Sequence, residues 1–398
     1  MIPSVRNQFN ASFSETKYQR FLQDIASQHN HLPPFRISES PVFVESELKK
    51  KIFCACEEIT DVIMSKDFMD KTEQFLFEMF RTPNEGRHNL FLQYDFGICE
   101  LPDGSLVPKL IELQGFPTLY FYQDMVANMY RKHFDLPDNF SHLFGGLTSE
   151  SYQELLKRII IGDCDPKNVI LLEIEPDKQP TRIDYICTAH ALGLKVLCIS
   201  QLKKSGRNLY YLDDLGKKIE VHRIYNRVIF DELIGRKDLE REFYFKDEVD
   251  VDWIGHPNWF FRISKSTMPL LSGQYVPKTT ILSEIDKIPL DLENYVLKPL
   301  YSFSGSGVVF NVTQEDLDAV KDLDGYVLQE KVTYSPIIQS PEGKVKCEIR
   351  MLLLWESPEN RPYVVNNLAR MSRGEMIGVK YNRDKTWVGG SVGFFERT

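Results

Sequence analysis

The segment YVLKPLYSFSGSGV, residues 295–308, constrains the fold of this chain most, because two apolar runs flank a stretch rich in glycine and serine. The first run ends at Lys298, and the second continues through Phe310. This pattern predicts a strand, a flexible loop and a second strand. Glycines let backbone amides approach an anion closely, and a lysine at the end of the first strand adds a positive charge. The segment therefore suits a polyphosphate, although a β-hairpin with a glycine-rich turn and a surface lysine would show the same pattern.

Neither of the two commonest nucleotide-binding loops occurs in the sequence. There is no Gly-x-x-x-x-Gly-Lys-Ser/Thr motif, and the glycine loop lacks the third glycine of a dinucleotide fingerprint. A polyphosphate site in this segment would therefore belong to another class of nucleotide-binding protein.

Composition and charge exclude several classes of partner. The chain has 398 residues, which allows two or three domains with separate cores. Its net charge of −9 argues against a general nucleic-acid or anionic-membrane partner, because such partners need a basic face. The N-terminus lacks a secretory signal pattern, no apolar run is long enough to cross a bilayer, and the seven cysteines form no Cys-x-x-Cys motif. We therefore expect a cytoplasmic protein with no nucleic-acid partner and no membrane association.

A second candidate site lies in residues 89–123, where two strand-like runs flank a turn at 102–104. Asp95 follows the first run, and Glu112 and Gln114 lie on the second. Residues two apart on a strand face the same side, so Glu112 and the amide oxygen of Gln114 can bind one hard cation. Asp95 can reach the same place across the hairpin. The alternative is a hairpin with solvated acids, but Glu112 lies in an apolar segment where an unpaired carboxylate would be costly.

Hydrophobic periodicity divides the chain into four parts. Residues 1–88 show helical periodicity and predict a helical N-terminal region. Residues 89–150 contain the acidic hairpin and then helices. Residues 151–255 show the order strand, helix, glycine, strand, which predicts a βαβ unit with parallel strands. Residues 256–398 combine antiparallel strands with one capped helix, which predicts an α+β lobe that contains the glycine loop.

Together these segments resemble the ATP-grasp superfamily. Four C-terminal motifs occur in that family's order: 264–265 with 276–279, 296–299 with the glycine loop, 327–330, and 348–350. The metal-binding motifs, which ordinarily follow these four, have their only counterpart near the N-terminus, at Asp95 and 111–114. This inverted order resembles the circularly permuted members, and most closely the synthetase domain of glutathionylspermidine synthase. The resemblance implies a multidomain α/β and α+β protein with a circularly permuted ATP-grasp fold, a Rossmann-like pre-ATP-grasp domain at 151–255 and a helical N-terminal region.

The resemblance also implies roles for individual residues. The phosphates of ATP would be bound by Lys265, Lys298, Ser302, Ser304, Gly305, Ser306 and Gly307. Main-chain groups of a hinge segment would meet adenine, and the candidates are Gln329, Glu330 and Val332. Mg²⁺ would be held by Asp95, Glu112 and Gln114, and the catalytic cations would be Lys298, Arg350 and Arg370. For each of the two arginines, a structural ion pair is the alternative.

Two positions depart from the family's pattern. Gln93 stands where the Arg-x-Asp-Phe motif has arginine, and Gln114 stands where the metal-binding motif has asparagine. The first change removes a cation that could stabilise transferred phosphate, and the second lengthens a metal ligand by one methylene. These departures leave the identity of the substrate open.

The resemblance implies an ATP- and Mg²⁺-dependent ligase that joins a carboxylate to an amine. In the family, the γ-phosphate passes to the carboxylate, and the amine attacks the resulting acyl phosphate; a peptide or a polyamine is the expected substrate. Such chemistry needs positioning and charge neutralisation, which lysines, backbone amides and metal-bound carboxylates provide. Two alternatives stay open: a small-molecule kinase on the same scaffold, and a degenerate nucleotide-binding module that serves a protein partner.

Overall fold

The computed structural model describes residues 2–300, 307–374, 377, 382 and 384–397. Its α-helices are α1 (Pro3–Ser12), α2 (Glu15–His29), α3 (Ser46–Ile63), α4 (Phe68–Thr72), α5 (Tyr120–His133), α6 (Ser149–Ile160), α7 (Arg182–Leu192), α8 (Phe230–Gly235), α9 (Asn258–Arg262) and α10 (Gln314–Asp318). Its strands are β1 (Val42–Val44), β2 (Phe91–Glu100), β3 (Leu106–Gln114), β4 (Phe140–Ser141), β5 (Val169–Glu173), β6 (Lys195–Cys198), β7 (Lys203–Ser205), β8 (Asn208–Leu212), β9 (Lys218–Val221), β10 (Arg223–Asn226), β11 (Asp252–Ile254), β12 (Thr279–Ile281), β13 (Tyr295–Pro299), β14 (Val309–Phe310), β15 (Tyr326–Glu330), β16 (Ile338–Ser340), β17 (Gly343–Leu354), β18 (Tyr363–Ser372), β19 (Gly389–Ser391) and β20 (Gly393–Glu396).

Helices dominate the N-terminal region, as its periodicity predicts. In α3, apolar residues at helical spacing, among them Leu48, Ile52 and Ile59, form one buried face. β1 pairs in parallel with β20, so this region is tied to the other end of the chain. Among the described residues, no helix combines the length and the apolar character that a membrane span requires.

The central sheet joins two segments that are far apart in sequence. Its strands run in the order β19-β18-β17-β2-β3, and neighbouring strands are antiparallel. β2 and β3 form the predicted hairpin, but β2 continues to Glu100, so Asp95 lies within the strand rather than at its end. β17 runs beside β2 and carries Glu348 and Arg350. The sheet therefore places the acids of the N-terminal hairpin next to charged residues of the C-terminal strands.

A parallel sheet contains the predicted βαβ unit. β5 and β6 are parallel, and α7 connects them and ends at Gly193, whose positive φ of 70° favours glycine. β10 and β11 extend this sheet to the order β11-β10-β5-β6, with all neighbours parallel. Every residue of β5 is buried, as expected for a parallel strand that is covered on both faces.

A smaller antiparallel sheet, in the order β12-β15-β13-β14, carries the predicted polyphosphate segment. β13 and β14 are antiparallel, which agrees with the predicted strand, loop and strand. Lys298 lies opposite Val327 of β15. Thr313 and Asp316 form the predicted capping box at the start of α10. Residues 301–306 of the loop lie outside the described part of the chain.

Gly115 allows the end of β3 to lie directly against α9. Its amide donates a hydrogen bond to the carbonyl oxygen of Ile263 at 2.9 Å. A Cβ atom on Gly115 would lie 2.4 Å from the carbonyl oxygen of Trp259 and 3.0 Å from the Cβ of Ile263. This close approach brings the 3-10 helix Lys265–Leu270, which follows α9, against β3.

We expect Gly115→Ala to lower the free energy of unfolding by about 1–3 kcal/mol, because the added methyl group overlaps backbone atoms that cannot move alone. Equilibrium urea denaturation would measure the loss. Gly235→Ala is the matched control, since a Cβ there meets no atom within 4 Å. The control should change stability by less than about 1 kcal/mol. Equal effects of the two substitutions would contradict the role assigned to Gly115.

Candidate functional site

A buried ion pair between Asp95 and Arg350 lies at the centre of the candidate site. The two residues are direct neighbours in the register of β2 and β17. Arg350 donates from Nε to Oδ1 at 2.5 Å and from Nη2 to Oδ2 at 2.6 Å. The side chains are 1% and 8% exposed, so both charges are almost fully removed from water. Two parallel bonds of this kind fix the geometry as well as the charge.

Gln93 completes the coordination of Arg350. Its Oε1 accepts from Nη1 of Arg350 at 3.1 Å, and its Nε2 donates to the carbonyl oxygen of Thr118 at 3.1 Å. Gln93, which stands where the Arg-x-Asp-Phe motif has arginine, thus orients Arg350. Because Nε, Nη1 and Nη2 of Arg350 are all engaged, this contact set favours the structural ion pair that was the alternative for Arg350.

Arg370 has a different environment from Arg350. Its Nη2 contacts Oδ2 of Asp95 at 2.5 Å and also forms an ion pair with Oε1 of Glu348. Its side chain is 31% exposed, and its Nε has no hydrogen-bond partner among the described residues. Both ion pairs use one terminal nitrogen, Nη2, and the side chain stays partly exposed.

Glu348 and Tyr334 form a part of the site to which the sequence analysis assigned no role. The hydroxyl of Tyr334 donates to Oε2 of Glu348 at 2.6 Å. The ring of Tyr334 lies over Gly97, where a Cβ atom would be 2.8 Å from the ring. Burial raises the pKa of Glu348, and the charge of Arg370 opposes that rise. The alternation of charged and apolar residues around Glu348 and Arg350 in β17 was the available signal for Glu348; no sequence pattern indicated Tyr334.

Glu112 and Gln114 lie together on β3, as predicted. Glu112 is opposite Asp95 in the register, and its Oε1 accepts from Nε2 of Gln114 at 3.0 Å. Nη2 of Arg350 is 3.6 Å from the same oxygen. The side chain of Glu112 is 26% exposed. Glu112 therefore presents a carboxylate near the surface, next to the buried Asp95, and Gln114 donates to that carboxylate from its amide nitrogen.

Of the three predicted Mg²⁺ ligands, Glu112 fits that role better than Asp95, while the amide nitrogen of Gln114 points to the carboxylate of Glu112. Both oxygens of Asp95 are engaged by arginines. Within the described ranges, no group of three or more His, Cys, Asp and Glu side chains is arranged for a metal ion. Mg²⁺ nevertheless needs only one or two carboxylates when substrate phosphates supply further oxygens. The prediction that Asp95 is a metal ligand stays untested, while its observed contacts are with guanidinium groups.

Lys298 connects the smaller sheet to the central sheet. Its Nζ donates to the carbonyl oxygen of Ile111 at 3.2 Å and to Oε1 of Gln329. The Nε2 of Gln329 in turn donates to Oγ1 of Thr279 at 2.9 Å. Burial lowers the pKa of Lys298 to about 8, although the nearby carboxylate of Glu112 raises it. Lys298 thus lies beside Ile111 and Glu112. An anion bound there would change the pKa of Lys298.

Lys265 is the second predicted phosphate ligand on this side of the site. It begins the 3-10 helix Lys265–Leu270, which Ser264 caps, and it is 8% exposed. Burial lowers the pKa of Lys265, and the carboxylates of Glu112 and Asp231 oppose that shift. Lys265 and Lys298 therefore share Glu112 as an electrostatic neighbour.

The remaining predicted ligands are only partly located. Gln329 is buried, and its side chain orients Lys298. Glu330 is exposed, with its Oε2 accepting from the amide of Lys278 at 3.1 Å, and Val332 packs against the central core. Gly307 has a φ of 70°. Ser302, Ser304, Gly305 and Ser306 lie outside the described residues.

Comparison with known proteins gives a fold and no family. No protein-family model and no curated protein matches the chain. Among solved structures, the chain is similar to a glutathione synthetase-like effector from Globodera pallida in its apo form, with a TM-score of 0.55 and 14% identity over 100% of this chain and 99% of that chain. It also matches a proposed gamma-glutamylcysteine synthetase from Methylobacillus flagellatus with 12% identity over 88% and 86% of the two chains, but the TM-score of 0.38 is too low to establish a common fold. The chain therefore shares its overall fold with the first of these proteins over its whole length.

We expect Arg350→Met to lower the free energy of unfolding by about 3–5 kcal/mol, because Asp95 would lose its bidentate partner while staying buried. Urea denaturation would measure the change. Arg361→Met is the control, since Arg361 pairs with Glu57 and Asp61 at the exposed surface. The control should cost less than about 1 kcal/mol. A loss for Arg350→Met no larger than that of the control would mean that Asp95 does not depend on Arg350.

Proposed function

We propose that this protein is an ATP- and Mg²⁺-dependent ligase that joins a carboxylate to an amine through an acyl phosphate. One observation supports the proposal above the others. Lys298, on the strand before the glycine loop, donates to the carbonyl oxygen of Ile111, which is 187 residues away in the chain and adjacent to Glu112. A lysine suited to phosphate and a carboxylate suited to Mg²⁺ therefore lie together, as a polyphosphate site requires.

The likeness in fold to a glutathione synthetase-like effector supports the same class of chemistry. The acidic hairpin precedes the lysine-bearing strand in the chain, and the central sheet joins the hairpin to the C-terminal strands. This arrangement agrees with the proposed circularly permuted ATP-grasp scaffold, similar to the synthetase domain of glutathionylspermidine synthase. The acid and the amine are small molecules in this proposal, with a peptide or a polyamine as the expected substrate.

Individual residues would have the following roles in phosphoryl transfer. Lys265 and Lys298 would bind the phosphates, the glycine loop at 302–307 would cover them, and main-chain groups of 329–332 would bind adenine. Glu112 and Gln114 would hold Mg²⁺, which supplies charge neutralisation to the phosphate oxygens. Arg370, whose side chain is partly exposed, would stabilise the charge on the transferred phosphoryl group. Arg350 would keep Asp95 and hence Arg370 in position.

The proposed reaction has two steps. A carboxylate oxygen of the acid forms a bond to the γ-phosphorus while the bond to the β-phosphate oxygen of ATP breaks and ADP leaves. The nitrogen of the amine then bonds to the acyl carbon, the bond to the phosphate oxygen breaks, and phosphate leaves as the nitrogen loses a proton.

A second function, nucleotide binding without group transfer, is favoured by one observation. Asp95 is engaged by Arg350 and Arg370 at both oxygens, which leaves fewer carboxylate oxygens for metal ions than the family pattern implies. Release of ADP that requires both an added acid and an added amine would exclude this function. The same requirement for an amine would exclude a kinase.

We expect Mg²⁺-ATP to raise the melting temperature of the wild-type protein by a few degrees. Ligand at a hundred times its dissociation constant adds about 2.7 kcal/mol to the stability of the folded state. Lys298→Ala should show no shift, because the substitution removes a phosphate ligand. In Glu112→Gln, the shift with ATP should no longer depend on Mg²⁺. Lys287→Ala, an exposed lysine of the same lobe, should retain the shift. Absence of any shift at saturating nucleotide would remove ATP from the proposal.

We expect the affinity for ATP to fall as the pH rises above about 8. The folded protein then loses the proton of Lys298, whose pKa is lowered to about 8, and a bound polyphosphate favours the protonated form. Binding at pH 9 should therefore take up a proton, which isothermal titration calorimetry in two buffers of different ionisation enthalpy would detect. Lys298→Ala should bind weakly and without this proton uptake. Equal proton uptake by wild type and Lys298→Ala would assign it to another group.

A further inference from the structure

Asp231 follows a residue that is packed in an aromatic cluster near the candidate site. Phe230 is fully buried, with its ring centroid 5.0 Å from those of Phe80, Phe260 and Phe261. Phe260 and Phe261 belong to α9, which leads directly into Lys265. The start of α8 is therefore packed against the helix that precedes the 3-10 helix of Lys265, and Asp231 is the residue after Phe230.

The carboxylate of Asp231 has an unsatisfied oxygen. The residue is half-buried, and its Oδ2 is buried without a hydrogen-bond partner among the described residues. Burial raises the pKa of Asp231, and the positive charge of Lys265 opposes that rise. A buried carboxylate oxygen without a donor costs free energy, so such an atom in a folded protein requires a reason.

The location of Asp231 supplies that reason. Two carboxylates act on the charge of Lys265: that of Asp231, in the part of the chain that contains the parallel sheet, and that of Glu112, on the central sheet. Asp231 follows Phe230, which packs against α9, and α9 ends three residues before Lys265, so Asp231 lies near this proposed phosphate ligand. The next residue in the chain, Glu232, differs: both of its carboxylate oxygens accept from Nε2 of Gln179 at 3.1 Å.

We propose that Asp231 binds the ammonium group of the amine substrate. This inference rests on the proposed ligase function for its biological meaning, but not for its test. A primary ammonium group is compact and carries three donors, so it can donate to a half-buried carboxylate whose Oδ2 has no donor among the described residues. Packing of Phe230 fixes the backbone next to Asp231 before the substrate arrives, which favours binding. Asp231 would thus select a cationic acceptor and hold it beside Lys265.

The test measures binding of two ammonium compounds to the full chain by isothermal titration calorimetry. Glycylglycine is compared with N-acetyl-glycylglycine, which lacks the ammonium group, and spermidine serves as a cation without a carboxylate. We expect at least one ammonium compound to bind the wild type, and its affinity to fall at least tenfold in Asp231→Asn. N-acetyl-glycylglycine should not bind. Glu232→Gln is the matched control and should bind as the wild type does.

Each outcome decides one of the two proposals. Unchanged binding in Asp231→Asn, or no binding of glycylglycine and spermidine to a wild type that binds Mg²⁺-ATP, would overturn the role of Asp231 and leave the ligase proposal standing. Binding that depends on Asp231 in a protein that does not bind Mg²⁺-ATP would support the ammonium site and refute the ligase. If Asp231→Asn is poorly folded, Asp231→Ala is measured instead, and its melting temperature is compared with that of Glu232→Gln.

Discussion

The bidentate pair of Asp95 and Arg350 is the interaction on which the candidate site depends. A carboxylate and a guanidinium in the middle of a sheet are stable only when their hydrogen-bonding capacity is met, because water cannot reach them. The pair satisfies Asp95, and Gln93 satisfies the remaining arm of Arg350. The register of β2 and β17 is thereby specified by charge as well as by apolar packing.

From this pair, hydrogen bonds continue in two directions. On one side, Gln93 reaches the carbonyl oxygen of Thr118, whose Oγ1 accepts from Arg227 at 3.2 Å. Arg227 pairs with the buried Asp184 at 2.7 Å, and Asp184 also accepts from the amide of Leu119 at 2.9 Å. This branch links the central sheet to the parallel sheet and to the start of α5.

The other direction leads towards the smaller sheet. Arg370 joins Asp95 to Glu348, and Tyr334 donates to Glu348 from the segment that follows β15. Ser335 secures the same segment, since its amide donates to the carbonyl oxygen of Ile98 at 3.1 Å. The charged residues therefore lie where three sheets meet, which explains why so many of them are buried and why almost all have partners.

The sequence by itself determined the elements whose signals are local. The acidic hairpin, the βαβ unit and the strand before the glycine loop follow from the spacing of apolar residues, glycines and turn residues within short windows. The placement of Glu112 beside Gln114 was also readable, because residues two apart on a strand share a face. Tertiary structure alone decided the contacts of Asp95. Its sequence context is equally suited to a metal ligand and to an ion pair, and the choice depends on Arg350, which lies 255 residues away and reaches Asp95 only through strand pairing. Tyr334 and Asp231 were unreadable for the same physical reason: the role of a polar side chain depends on what surrounds it in space, and spacing along the chain does not record that.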